Sequence, residues 1–404
     1  MTGEQLKRRA CEAVDRWAPE LTAAADWIHA HPEIGHQEVQ AAQRLADLLR
    51  SAGIQVEMGT ASMATAFKAE LGGSAAHRPR VAILAEYDAL PGLGHGCGHN
   101  LIGTSAIGAA LGLRELMSEL NGSVWVLGTP AEESAAPNSG GKVHMINAGL
   151  FDQVDAAIMF HPATETVMTL ERSLAARGFE FYFHGRAAHA AGAPEEGLNA
   201  LDAVVLFYNA ISMLRQQVRS DVRIHGIVLN GGAAANIIPD YAAIRYRTRA
   251  DDSGYLAQVV DRVLACAEGA ARATGCRLEW HEYMPEYENS MPNSVLRDLM
   301  VENLRRLGLN VNTSRRRGGR GSTDFGNVSR RVPAVEARIG ITDQPDVPGH
   351  SIQFREAAAS ERGRQAMLAA AKSLAMTAID LLAEPANLQR ARAAFEEDRG
   401  RGQR

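Results

Sequence analysis

Cys97 and His99 flank a single glycine in the segment LAEYDALPGLGHGCGHNLIG, residues 84–103. A thiolate beside an imidazole is a ligand pair suited to Zn²⁺ or a similar divalent transition ion. Glu132 and Glu133 adjoin in VWVLGTPAEES. Neighbouring carboxylates repel, so a cation helps to keep one ionised while the other can shuttle a proton. His161 closes the apolar run AAIMFHPA, and His350 lies in the Pro/Gly loop DVPGHSIQF near the C-terminus. Each segment alone also fits a structural role: a Gly-rich turn, two solvated glutamates, a hydrogen-bonded histidine. Together they exceed what one structural zinc requires, and two ions a few ångströms apart would activate one water between them. The expected chemistry is metal-assisted hydrolysis.

Such residues have to be presented by strand ends. Short apolar runs at residues 80–85, 123–128 and 155–160 are separated by a helical stretch from about Ile102 to Leu120, and an amphipathic helix at Glu38–Arg50 precedes them. The alternation predicts an α/β fold with a mostly parallel sheet, whose carboxyl ends are the usual place for a site. The pattern then changes to strand (Gly178–His184), helix (Asn199–Arg219), strands (222–229 and 242–249), helix (Tyr255–Ala273) and strand (277–283). That order is a ferredoxin-like α+β unit. An inserted domain is therefore expected at 173–285, with residues 1–172 and 286–404 forming one discontinuous catalytic domain. A helix at Ser294–Leu307, a strand at 332–338 and a final helix near Ala359–Leu382 complete it, and the charged tail from Gln389 to Arg404 is expected to fray.

At 404 residues the chain is long enough for two cores, and its 46% apolar and 22% charged composition is that of a globular protein. A net charge of −5 gives no basic field for nucleic acid or an anionic membrane, so a small-molecule partner is expected. The charged N-terminus has no signal-peptide core, and the four cysteines are few and dispersed, with Cys11 and Cys266 in helical patterns that read as small buried apolar residues. A cytoplasmic protein without a disulfide framework is expected. Residues 314–323 bring Arg315, Arg316, Arg317 and Arg320 together, read as a solvated loop.

Across most of its length the sequence resembles the M20 metallopeptidase and aminoacylase family, in its amidohydrolase branch of p-aminobenzoyl-glutamate hydrolases and dipeptidase-like proteins. The resemblance is carried by HPEIGHQE (31–38), AEYDALPG (85–92), GHGCGHN (94–100), PAEE (130–133), FHP (160–162), GRAAHAA (185–191), ANIIPD (235–240), GSTDFGNVS (321–329) and GHS (349–351). It implies Cys97, His99, Glu133, His161 and His350 as ligands of two divalent ions, Mn²⁺ or Zn²⁺ or Co²⁺, with Cys97 bridging. It implies Glu132 as general base and acid, and Asp88 as the group that orients a ligand. It also implies that the inserted domain dimerises and acts as a lid, that His189 reaches the partner's site to bind the oxyanion, and that Asn236 and Arg249 contact a substrate carboxylate. A guanidinium suits that last task independently, since it binds a carboxylate through two parallel hydrogen bonds. Two departures stand out. Relatives with an HxD form have histidine where this chain has Glu86, and many have aspartate where it has Asn100.

The expected reaction is hydrolysis of the amide bond of an N-acyl or N-aroyl amino acid. The open alternatives are cleavage of dipeptides with a free amino group, a non-catalytic relative, and thiol hydrolysis through Cys97, which chelation would distinguish.

Overall fold

The computed structural model describes residues 2–72, 79–133, 136–314, 320–344 and 346–401. The chain divides into two compact units: Met1–Arg172 with Ser290–Gly319 and Asn327–Arg404, and Ser173–Asn289 with Arg320–Gly326. Strands are numbered along the chain.

The first unit holds a six-stranded sheet of β1 (Val56–Met58), β2 (Phe67–Gly72), β3 (Arg80–Ala85), β4 (Ser123–Gly128), β5 (Ala156–Ala163) and β10 (Ala334–Gly340), in the order β1-β2-β4-β3-β5-β10. The neighbours β4-β3, β3-β5 and β5-β10 are parallel, whereas β1 and β2 form an antiparallel edge. Every residue of β3 and β4 is buried, as a strand covered on both faces requires. The helix His99–Leu113 is buried along its whole length. It packs on the helix Glu361–Ala383, and a methyl group added at Gly108 would stand 2.9 Å from Ala371 Cβ, so small side chains set how closely the two approach. Glu361–Ala383 is apolar and long enough to cross a bilayer by composition, but 72% of its apolar window is buried inside this unit, where it is a core helix.

The second unit is a four-stranded antiparallel sheet, order β7-β8-β6-β9, of β6 (Ala175–His184), β7 (Arg223–Asn230), β8 (Tyr241–Ala250) and β9 (Arg277–Tyr287), with helices Ala200–Leu214 and Ser253–Thr274. Its β-α-β-β-α-β succession is the ferredoxin-like one. Phe179, Phe181 and Phe183 all point to the covered face of β6, where Phe207, Ile211, Val260 and Val263 meet them.

As far as Arg401, the C-terminal tail does not fray. Pro385–Arg401 is helical, because Leu388, Ala391 and Phe395 recur at helical spacing and are buried while Asn293 Nδ2 donates to the Ala391 carbonyl. Charge masked this short apolar stripe in the sequence. Cys11 and Cys266 are only partly buried, and Cys276 is the buried one of the three outside the Gly-rich loop. Arg315, Arg316 and Arg317 lie outside the described residues, whereas Arg320 pairs with Asp251 at 2.5 Å.

Candidate metal centre

Parallel strands end side by side in the order β4-β3-β5-β10, and each is followed by ligand-type side chains. Beyond β3 come Glu86, Asp88, Cys97 and His99; beyond β4, Glu132 and Glu133; in β5 itself, His161; and in the loop after β10, His350. Gly98, with φ 75°, turns the chain so that His99 opens its helix. A side chain there would also collide with Pro162, 2.8 Å from the added carbon. Of the six non-glycine residues with positive φ among the described residues, two lie in these ligand-bearing loops, buried Ala131 (φ 55°) and His350 (φ 59°). Such strain costs about 1–3 kcal/mol and gathers at functional sites.

The atoms converge. Cys97, His99 and His161 offer ligand atoms within 4.8 Å of one another, as do Cys97, Glu133 and His350, and also His99, Glu132 and Glu133. Cys97 belongs to the first two groups, with its Sγ 3.6 Å from His161 Nε2. His350 Nε2 stands 3.3 Å from Glu133 Oε1, and hydrogen bonds to Cys97 and Glu133 push the imidazole pKa up to about 10. Burial and the neighbouring Glu133 charge push the Cys97 thiol up, so its ionisation needs a cation.

His99 is the pivot. Its Nδ1 donates to Asp88 Oδ1 at 2.8 Å, while Asp88 Oδ2 accepts the Glu133 backbone N–H at 2.9 Å. Burial favours the neutral ring, but the charge of Asp88 and its hydrogen bond outweigh burial and hold the His99 pKa well above its ordinary value. Asp88 answers in kind: burial raises it, yet the same pair brings it below the usual carboxylate range. Among the described residues, the buried His99 Nε2 has no hydrogen-bond partner. A buried imidazole nitrogen with its other nitrogen tied to a carboxylate is the arrangement of a metal ligand, so the residues fit divalent ions.

Four residues to which the sequence assigns no role also build this centre. Glu38, fully buried, accepts the Ala131 N–H at 2.8 Å and a Thr65 hydroxyl hydrogen bond at 3.0 Å. Burial and the nearby Asp88 push its carboxyl up to about 7. Glu86 meets the buried Lys142. His95 is driven down to about 3 by burial, His99 and His29, which keeps it neutral. Glu38, Glu86 and His95 lie in HPEIGHQE, AEYDALPG and GHGCGHN, so the motifs could have flagged them, whereas Lys142 lies in none.

The second unit carries the remaining residues. The segments of His189 and Asn236 are paired, with a bridge between His189 and Ile237 and the Ala190 N–H donating to the Asn236 carbonyl. His189 Nδ1 accepts from the Ala191 and Gly192 N–H groups, which leaves Nε2 as the donor. Its side chain is exposed, as is Asn236. Arg249, on β8, donates to Ser322 Oγ at 3.2 Å.

Residues 82–373 match the model of peptidase family M20/M25/M40. The chain belongs to that family. Within it, the chain is 40% identical to a Mus musculus Xaa-Arg dipeptidase over 97% of its own length and 93% of the relative's. It is 34% identical to a p-aminobenzoyl-glutamate hydrolase polypeptide of Escherichia coli over 76% of this chain and 66% of that one. A dinuclear metal-binding M20 peptidase of Bacillus subtilis has the same fold, with a TM-score of 0.64 at 22% identity and coverage of 91% and 99%. As an M20 member the protein is an enzyme acting on amide or peptide bonds.

Proposed function

We propose that this M20 hydrolase uses two divalent ions to cleave the amide bond before an amino acid with a free α-carboxylate, and that dipeptides are its main substrates. The carrying observation is the convergence of Cys97, His99, Glu133, His161 and His350, with Glu132 beside His99 and Glu133. The dipeptide preference is supported by the 40% identity to the Xaa-Arg dipeptidase along nearly the whole chain. The N-acyl amino acid reading is supported by the shorter match to the p-aminobenzoyl-glutamate hydrolase.

Cys97, His99 and His161 would hold one ion, and Cys97, Glu133 and His350 the other. When bound, the ions supply the Lewis acidity that activates water and polarises the amide carbonyl. Mn²⁺, Zn²⁺ and Co²⁺ all suit a mixed thiolate, imidazole and carboxylate set. Glu132 takes the proton from water and returns it to the leaving amine nitrogen. Asp88 fixes the His99 ring. Arg249 and Asn236 bind the substrate carboxylate, and His189 Nε2–H donates to the developing oxyanion.

The assembly is a homodimer through the second unit. Val205, Leu206, Tyr208 and Met213 stand exposed on one helix, and Ile227, Val228 and Leu229 on the edge strand β7. An apolar edge strand of this kind is a pairing surface. The thiol ligand and dispersed cysteines favour the cytoplasm, which cell fractionation checks.

The test is a screen of metal-stripped protein reloaded with each ion, over Xaa-Arg and other dipeptides, N-acyl and N-aroyl amino acids. Metal-dependent hydrolysis of dipeptides with the highest kcat/KM is expected. A preference for N-acyl amino acids would move the assignment to the second reading, and activity that survives chelation would end both.

A further inference from the structure

Lys142 is fully buried in the short helix Gly141–Asn147, and its Nζ stands 2.6 Å from Glu86 Oε1. Glu86 is equally buried, and its other oxygen lies 3.5 Å from His99 Nε2, the nitrogen not engaged by Asp88. A Glu86 oxygen also comes within 4.8 Å of one of Glu132. The backbone fixes the lysine here: a side chain on Gly141 would stand 2.1 Å from the Pro130 carbonyl, so only glycine lets the Lys142 helix begin against the loop that carries Glu132.

A carboxylate so near a ligand nitrogen can reach an ion held by that nitrogen, and oxygen donors are accepted by all the candidate ions. A hydrolytic site instead needs a coordination position left open. We propose that Lys142 restrains Glu86, keeping its carboxylate out of the coordination sphere of the ion at Cys97, His99 and His161, so that a position there stays open. This inference rests on the two-ion reading above. Lys142 and Glu86 are positioning residues in it. The pair is well suited to the task, because both partners are out of water and separating them leaves a buried charge uncompensated.

The test compares the parent, Lys142→Met and the double variant Glu86→Gln/Lys142→Met, each stripped and reloaded with Co²⁺ alone. The parent is expected to take two Co²⁺ per chain; a parent that takes none overturns the two-ion reading itself, whatever the variants do. In Lys142→Met, Co²⁺ release to a chelator is expected to slow about tenfold, the visible ligand-field bands to weaken and shift as a ligand is added, and kcat to fall about 10–100-fold at similar KM. The double variant has no carboxylate to intrude, so its release rate and bands return to parental values and its kcat largely recovers. Co²⁺ release from Lys142→Met as fast as or faster than from the parent overturns the clamp, as does a double variant that keeps the altered spectrum. Should Lys142→Met fail to fold, Lys142→Gln, which keeps a hydrogen-bond donor without the charge, is read by the same three measurements, and the same results support or overturn the clamp.

Discussion

The two units arrange their polar chemistry in opposite ways. In the first, His99, Asp88, Glu86 and Lys142 are withdrawn from water and bound to one another before any substrate arrives. In the second, His189 and Asn236 are exposed, and two backbone N–H groups of its own loop orient His189. A buried, mutually bonded set is preorganised, so damage to it is felt in the chemistry and the fold together. An exposed set gains its geometry from what docks on it, so damage there should spare the fold.

The sharpest way to break this contrast is Glu132→Gln. Its turnover should fall about 10²–10⁴-fold, the usual weight of general acid–base catalysis, with metal content unchanged by elemental analysis. Near-parental kcat in a metal-replete variant removes Glu132 from its role. His189→Ala should lower kcat about 10²-fold with an unchanged melting temperature. If the histidine serves the partner's site, mixing His189→Ala with Glu132→Gln protomers restores activity, because one mixed site regains both groups; no recovery on mixing keeps His189 within its own chain. Phe395→Ala tests the first unit away from its centre and should cost about 3–5 kcal/mol in chemical denaturation, as for a buried phenylalanine. The smallest effect concerns Glu38. Its carboxyl is raised on folding from an ordinary 4.5 to about 7, so the folded state holds the proton more tightly. The stability this group contributes is therefore present at low pH and is lost as pH rises from about 4.5 to 7. The metal-free parent should lose stability across that window, and Glu38→Gln should flatten the decline. Parallel curves for the two would contradict the shift.

Much of this was legible in the sequence because it follows from periodicity. Residues 80–85 and 123–128 coincide with β3 and β4, since buried parallel strands read as unbroken apolar runs. The ferredoxin-like succession was readable because β6 alternates Phe179, Phe181 and Phe183 with polar residues. What escaped were features made by contact across the chain. Glu38 lies 93 residues from Ala131, whose N–H it accepts, and Lys142 has no motif that pairs it with Glu86. The antiparallel edge strands β1 and β2 also escaped, because their register is defined by pairing and β1 spans only three residues. The terminal helix was hidden by its charges, which cover the solvent face of a segment whose other face is apolar.

Because the first unit is discontinuous, the order of synthesis bears on when the metal centre can form. The second unit is almost contiguous, Ser173–Asn289, whereas β10 and the helices Glu361–Ala383 and Pro385–Arg401 of the first unit are translated after it. Domains fold as their residues emerge from the ribosome. The inserted unit can thus bury its phenylalanines while β5 still waits for its parallel neighbour β10, and His350 is the last of the candidate ligands to be made. Metal loading of the full set is therefore a late event, which has to wait until His350 has been made and β10 has paired with β5.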